Sequence, residues 1–190
     1  MNKKDRARYL RNLRTILIIA GLIIGFYVLQ STLFRALTFG GIGPNLMIVL
    51  TCSLGLMFGD VRGLFIGFFC GLLMDIFGSG VIGFYSLVYA FIGYLAGKFE
   101  KIVFPDNLRI PLLTVLTGDF VYGFLCYVFQ FLIRGRLFIG YFIVHFLLPE
   151  MLYTFLTAVF LYPMILLLYR KFMRPITESE ENYARKKTQT

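Results

Sequence analysis

The chain has 190 residues and a net charge of +9; 58% of the residues are hydrophobic, only 15% are charged, and the mean hydropathy is +0.78. With 22 Phe, 12 Tyr and 19 Gly, too few polar groups remain to cover a soluble surface, which excludes a soluble globular protein and intrinsic disorder. The charge does not indicate a nucleic-acid partner, because Lys and Arg are concentrated between long uncharged stretches. The composition predicts an all-α integral membrane protein.

Uncharged stretches of roughly membrane-spanning length predict a bundle of six transmembrane helices. The basic segment 1–14 precedes the first span, and no small-residue cleavage site follows, so we expect an uncleaved first span. A turn at Gly59–Gly63 separates spans two and three, and the charged tail 170–190 follows the last span. The predicted spans are 15–34, 44–58, 64–77, 83–97, 110–133 and 149–169.

The last apolar region, 137–169, is too long for one span even with tilt. Pro149 is predicted to break it, because proline removes a helical donor and clashes with the preceding turn. The pair Pro149-Glu150 is also typical of a helix start. We therefore expect 138–148 to lie at the interface or half-inserted before the last span; its inclusion in that span stays an alternative.

The distribution of basic residues predicts the orientation. With the N-terminus inside, 16 of the 19 Lys and Arg fall in cytoplasmic segments. Five spans would place one basic terminus outside, so six spans with both termini cytoplasmic is the prediction. The basic residues between Lys3 and Arg14 are expected to attract anionic lipids.

No catalytic, cofactor-binding or metal-binding pattern is present. His145 is the single histidine, and the three cysteines lie in apolar stretches without metal-ligand spacing. Three acidic residues at or within the spans are candidate polar structural residues: Asp75, Asp119 and Glu150. His145 is a fourth candidate. Asp75 is interpreted as a helix-end acid on a glycine-rich turn, and Asp119 either forms a hydrogen bond inside the bundle or takes part in a proton relay.

Glycine spacing is the most regular pattern in the sequence. Such strips let helices approach closely in lipid, where no hydrophobic force drives helices together. Gly21 and Gly25 on span one are predicted to contact a partner. The candidates for packing within the bundle are Gly63, Gly67, Gly71, Gly93 and Gly97.

A dense series of short motifs runs from about residue 29 to 97, and their order and spacing carry the information. They are LQSTL at 29–33, GPNL at 43–46, GLFIGF at 63–68, GLLMDI at 71–76 and GYLAG at 93–97, with Gly83 and Tyr89 between them. Together they resemble the rod shape-determining protein MreD family. The resemblance is weak after Gly97 and implies no role for Asp119, His145 or Glu150.

The resemblance implies a non-enzymatic protein of the bacterial inner membrane that maintains rod shape. Its implied partner is the bitopic protein MreC, within a wall-elongation machinery that includes MreB, a penicillin-binding transpeptidase and the polymerase RodA. The implied fold is the six-helix bundle of the substrate-binding component of energy-coupling-factor transporters. A vitamin- or metal-binding subunit of such a transporter is the alternative function, with Asp75, His145 and Glu150 lining its cavity.

Overall fold

The computed structural model describes residues 3–34, 43–78, 81–100, 108–134, 140 and 143–173. These residues form six α-helices and no strand. The helices are α1 (Lys3–Leu29), α2 (Leu46–Phe58), α3 (Asp60–Phe77), α4 (Phe84–Lys98), α5 (Arg109–Arg134) and α6 (Leu148–Leu168).

Three short π-helical segments extend these helices. Gln30–Phe34 continues α1, Ile143–Leu147 leads directly into α6, and Tyr169–Met173 follows α6. The chain is therefore helical on both sides of Pro149, which lies in the first turn of α6. An interfacial location for 138–148 stays a prediction, and 135–139 and 141–142 lie outside the described residues, as do 101–107 and the tail from 174 onward.

The turn between α2 and α3 is a single residue, so the prediction of a turn over Gly59–Gly63 is wrong in its length. Gly59 adopts φ 86° and ψ 179°, a conformation almost confined to glycine, and α3 begins at Asp60. Gly63 consequently belongs to α3, and the side on which other residues carry a Cβ faces a neighbouring helix.

Three helical stretches are long and apolar enough to cross a membrane: Leu13–Thr32, Arg109–Phe129 and Ile143–Phe172. The chain is therefore treated as a membrane protein. Helix α2 has 13 residues, about 20 Å at helical rise, which is less than the hydrocarbon thickness of about 30 Å. The count of six spans stays a prediction.

Helix α2 lies at the centre of the bundle. Each of its 13 residues is buried, and it contacts all five other helices. The surrounding helices expose large apolar side chains outward, among them Leu17, Leu87 and Phe160. A fully buried apolar helix inside a ring of outward-facing apolar residues is the arrangement expected when lipid is the solvent.

Helices α3 and α4 pack backbone against backbone. A Cβ atom added at Gly67 would overlap the carbonyl oxygen of Tyr89, and one added at Gly71 would overlap that of Tyr85. Gly63 and Gly93 face each other in the same way, and Gly97 contacts Asp60 in the first turn of α3. The glycine strip of α3 is thus fully occupied by α4.

This packing predicts that Gly67→Ala destabilises the fold, because the added methyl group meets main-chain atoms that cannot move away. We expect the free energy of unfolding to fall by about 2 kcal/mol, which lowers the Tm of the detergent-solubilised protein by roughly 4–8 °C. Gly21→Ala is the matched control, since no described residue lies within 4 Å of a Cβ at that position. Equal melting of the two variants would contradict the backbone contact.

Candidate functional site

The carboxylate of Asp75, in the last turn of α3, caps the start of α4. It accepts hydrogen bonds from the backbone N–H groups of Tyr85 (3.0 Å) and Ser86 (2.9 Å) and from the Ser86 hydroxyl. The N-cap residue itself, Gly83, has φ 96° and carries no side chain to cap the helix. Asp75 therefore supplies from the neighbouring helix the acceptor and negative charge that a helix N-terminus requires.

Burial of Asp75 gives this contact its strength. The side chain is only 2% exposed, so the carboxylate has exchanged water for these three donors. Charge-assisted hydrogen bonds to ordered donors compensate for lost hydration. The expectation of an acid at the end of a helix agrees with this position, but the cap across to α4 gives Asp75 a defined structural role.

Asn45 joins three helices at the start of α2. Its side-chain oxygen accepts the N–H of Ile48 (3.3 Å) and the hydroxyl proton of Tyr89 from α4 (2.9 Å). Its backbone N–H donates to the hydroxyl oxygen of Thr154 on α6 (3.1 Å). Because Asn45 is buried, these bonds fix the angle at which α2 enters the bundle.

Asp119 of α5 is the most buried acidic residue among those that the structure describes, at 1% exposure. Neither carboxylate oxygen has a partner with hydrogen-bond geometry in the part of the chain that the structure describes, although the Thr154 hydroxyl lies beside it. Glu150, one turn before Thr154 on α6, is close enough for its charge to interact with Asp119. The structure therefore brings two predicted acids, Asp119 and Glu150, into one polar region.

His145 and Asp75 lie in different surroundings. The His145 side chain is exposed in the π-helical segment before α6, whereas Asp75 is enclosed between α3 and α4. Within the described ranges, no three His, Cys, Asp or Glu side chains group as metal ligands do. The contacts of Asp75 give no support to a cavity lined by this residue, since its oxygens accept three bonds from α4.

The predicted partner-contact glycines occupy a different environment from those of α3. Among the residues that the structure describes, nothing lies within 4 Å of a Cβ built at Gly21 or Gly25, and both residues are exposed on α1. The protein itself therefore leaves this glycine notch, defined by Gly21 and Gly25, open on its outer surface.

Sequence reasoning missed Asn45, Thr154 and Ser86 as structural polar residues. The signal for Asn45 was present: asparagine directly before an apolar run is a preferred helix N-cap. Thr154 and Ser86 carry no such signal, because a single hydroxyl residue in an apolar helix has no distinguishing spacing. Their roles depend on the helix that lies opposite.

The cap predicts that Asp75→Asn destabilises the protein. The amide group of asparagine lacks the negative charge of the carboxylate, and its N–H donors would face the N–H groups of α4. We therefore expect the free energy of unfolding to fall by about 1.5–3 kcal/mol. Asp60→Asn is the control, because Asp60 is exposed and its side chain accepts the local N–H of Val61 (2.8 Å) rather than a bond from another helix in the described ranges. Thermal unfolding in detergent measures both; an unchanged Tm for Asp75→Asn would contradict the role of the cap.

Comparisons with known proteins give a family match but no structural match. No curated protein and no solved structure matches the chain, so the expected resemblance to the substrate-binding component of energy-coupling-factor transporters is not supported. The family model described as "rod shape-determining protein MreD" matches residues 10–172. That match extends well beyond the motifs at 29–97 and includes the helices that carry Asp119 and Glu150. The chain is therefore a member of the MreD family of rod shape-determining proteins.

Proposed function

We propose that this protein is a non-enzymatic scaffold of the wall-elongation machinery in the bacterial inner membrane, which maintains rod shape by binding an MreC-like bitopic partner. Family membership carries the proposal, and the open glycine notch on α1 supplies a surface suited to a single partner helix. Through this partner it would help to organise peptidoglycan synthesis by the transpeptidase, the RodA-like polymerase and MreB.

The distribution of glycines supports the choice of α1 as the partner-binding helix. Close helix packing in lipid needs small residues whose surface is not already covered. The strip of α3 is covered by α4, whereas Gly21 and Gly25 face open space. Of the 20 residues in the Leu13–Thr32 stretch, only a small share is buried, so α1 has room for a second helix.

The described polar residues support a structural rather than a catalytic role. Asp75 is fully used in capping α4, and Asn45 in joining α2 to α4 and α6. Side chains that hold helices together in this way are not free to bind a substrate. Asp119 and Glu150 are proposed as structural residues of the same interior.

We further propose six spans with both termini in the cytoplasm, on the basis of the charge distribution. Single cysteines at Ser79 and Arg136 should react with an impermeant maleimide added outside intact spheroplasts. Cysteines at Lys101 and Lys186 should react only after permeabilisation. Labelling of the Lys186 site from outside would contradict the six-span arrangement.

The scaffold proposal predicts that Gly21→Leu combined with Gly25→Leu separates function from folding. Leucine is favourable in a span, so insertion should be unchanged, but the side chains would hold a partner helix away. In a strain depleted of the wild-type protein, the double variant should accumulate normally, lose most of its co-purifying partner and leave the cells round.

Gly140→Leu is the matched control, because a Cβ at Gly140 also meets nothing within 4 Å among the described residues. This variant should restore rod shape and retain the partner. Full partner retention by the double variant would place the partner contact elsewhere. Rescue of the depleted strain by a vitamin in the medium would favour the transporter alternative over a scaffold.

A further inference from the structure

An open apolar groove runs between α1 and α3, on the side of α3 that faces away from α4. Its volume is about 660 Å³. The walls include Ile16, Ala20 and Ile23 of α1 and Phe65, Phe69 and Leu72 of α3. Phe69 is 53% exposed, so the protein leaves a substantial part of this surface uncovered.

The two ends of the groove differ in chemistry. At one end, the rings of Tyr27 and Phe77 meet with centroids 5.2 Å apart, which joins α1 to α3 just beyond the groove. At the other end lie the hydroxyl of Thr15 and the guanidinium of Arg62, the one charged side chain among the lining residues. Arg62 is exposed. The groove is thus an apolar slot with a single cationic end.

The groove is shorter than a complete membrane span. Arg62 and Phe77 are 15 residues apart on α3, which corresponds to about 22 Å at helical rise. One leaflet contributes about 15 Å of hydrocarbon, and the whole bilayer about 30 Å. A ligand with its charged group at Arg62 would therefore end within the membrane, near the pair of rings.

The side chains of the groove argue in the same direction. The lining residues are mostly bulky, among them Ile23, Phe65 and Phe69, and include no glycine. Helices that pack closely in lipid meet at small residues, so this surface is poorly suited to a partner helix. A flexible hydrocarbon chain is thin enough to enter.

We propose that the groove between α1 and α3 binds a phospholipid with an anionic headgroup, one acyl chain lying along Phe65 and Phe69 and the phosphate bound by Arg62. The guanidinium group has five N–H donors in a planar fork that suits phosphate oxygens, so it binds a phosphate while keeping a contact within the protein. The positive charge favours an anionic headgroup over a zwitterionic one.

The centre of this site lies on another side of α1 from the proposed partner surface. With 3.6 residues per turn, Ile16, Ala20 and Ile23 lie roughly 100–180° around the helix from Gly21 and Gly25. Ile24, which also lines the groove, lies about 60° from Gly21, so the two surfaces are neighbours on α1. Different variants test the two proposals, so either can fail without the other.

The test uses the purified full chain, delipidated in detergent and titrated with phosphatidylglycerol or phosphatidylcholine under native mass spectrometry. Wild type should bind one phosphatidylglycerol with an affinity about tenfold above that for phosphatidylcholine. Arg62→Gln should lose this preference while phosphatidylcholine binding stays unchanged. Arg109→Gln, which removes an exposed arginine outside the groove, should keep it. Equal affinities in wild type, or an unchanged preference in Arg62→Gln, would overturn the proposal.

Two further variants make the result independent of how well Arg62→Gln folds. Ala20→Phe fills the groove and should weaken binding of both lipids, whereas unchanged binding would place the lipid elsewhere. A photo-crosslinking amino acid at Phe69, activated in cells, should yield an adduct with an anionic phospholipid. A protein adduct in its place would assign the groove to a partner helix, and an adduct with zwitterionic lipid alone would show a nonspecific boundary lipid; either result overturns the proposal.

Discussion

The close approach of α3 and α4 is the contact on which the remaining structure depends. Because Gly63, Gly67 and Gly71 carry no side chain, the carbonyl oxygens of α4 lie directly against the backbone of α3. This approach brings the end of α3 within hydrogen-bond distance of the start of α4, where Asp75 provides the missing cap. It also fixes Tyr89 on α4, whose hydroxyl then reaches Asn45 at the start of α2. The position of the central helix α2 is thereby set by the polar contact between Tyr89 and Asn45. This contact in turn depends on the close packing of α3 against α4 at their glycines.

The bundle concentrates its polar side chains where they join helices, and this arrangement follows from the cost of unpaired polar groups in an apolar interior. Asn45 and Asp75 satisfy backbone groups that helix ends leave without partners. Asp119 is an exception, because its carboxylate has no hydrogen-bond partner in the described part of the chain. Burial of such an acid costs free energy, and Asp119 lies near Thr154 and Glu150, where α5 and α6 meet.

Much of the fold could be predicted from the sequence because lipid restricts the options to helices, and the order of short motifs identified the family that the family model confirms. Details that depend on an opposing helix could not be predicted. The spacing of Gly63, Gly67 and Gly71 indicates close packing, but only the structure shows that Tyr85, Tyr89 and Gly93 lie opposite. The turn at Gly59 was predicted too long, because a glycine can reverse the chain within one residue when its φ is positive. The sequence predicts Asp75 only as a helix-end acid, since nothing in a linear pattern shows that α4 begins beside it.

The outer surface of the bundle divides into faces with different physical demands. A second helix needs a surface without side chains, which α1 offers at Gly21 and Gly25. A lipid chain needs a narrow apolar slot with a charge at the level of its headgroup, which α1 and α3 form together on another side of α1. Both faces exist because α1 makes few contacts with the bundle: in its Leu13–Thr32 stretch, only Ile23 and Phe26 are buried. A helix so loosely packed gains little from internal contacts, so the lipid and any partner on its two flanks would contribute a large share of the free energy that holds it in place. Through α1, the state of the surrounding membrane and the presence of a partner would act on the same element of the protein.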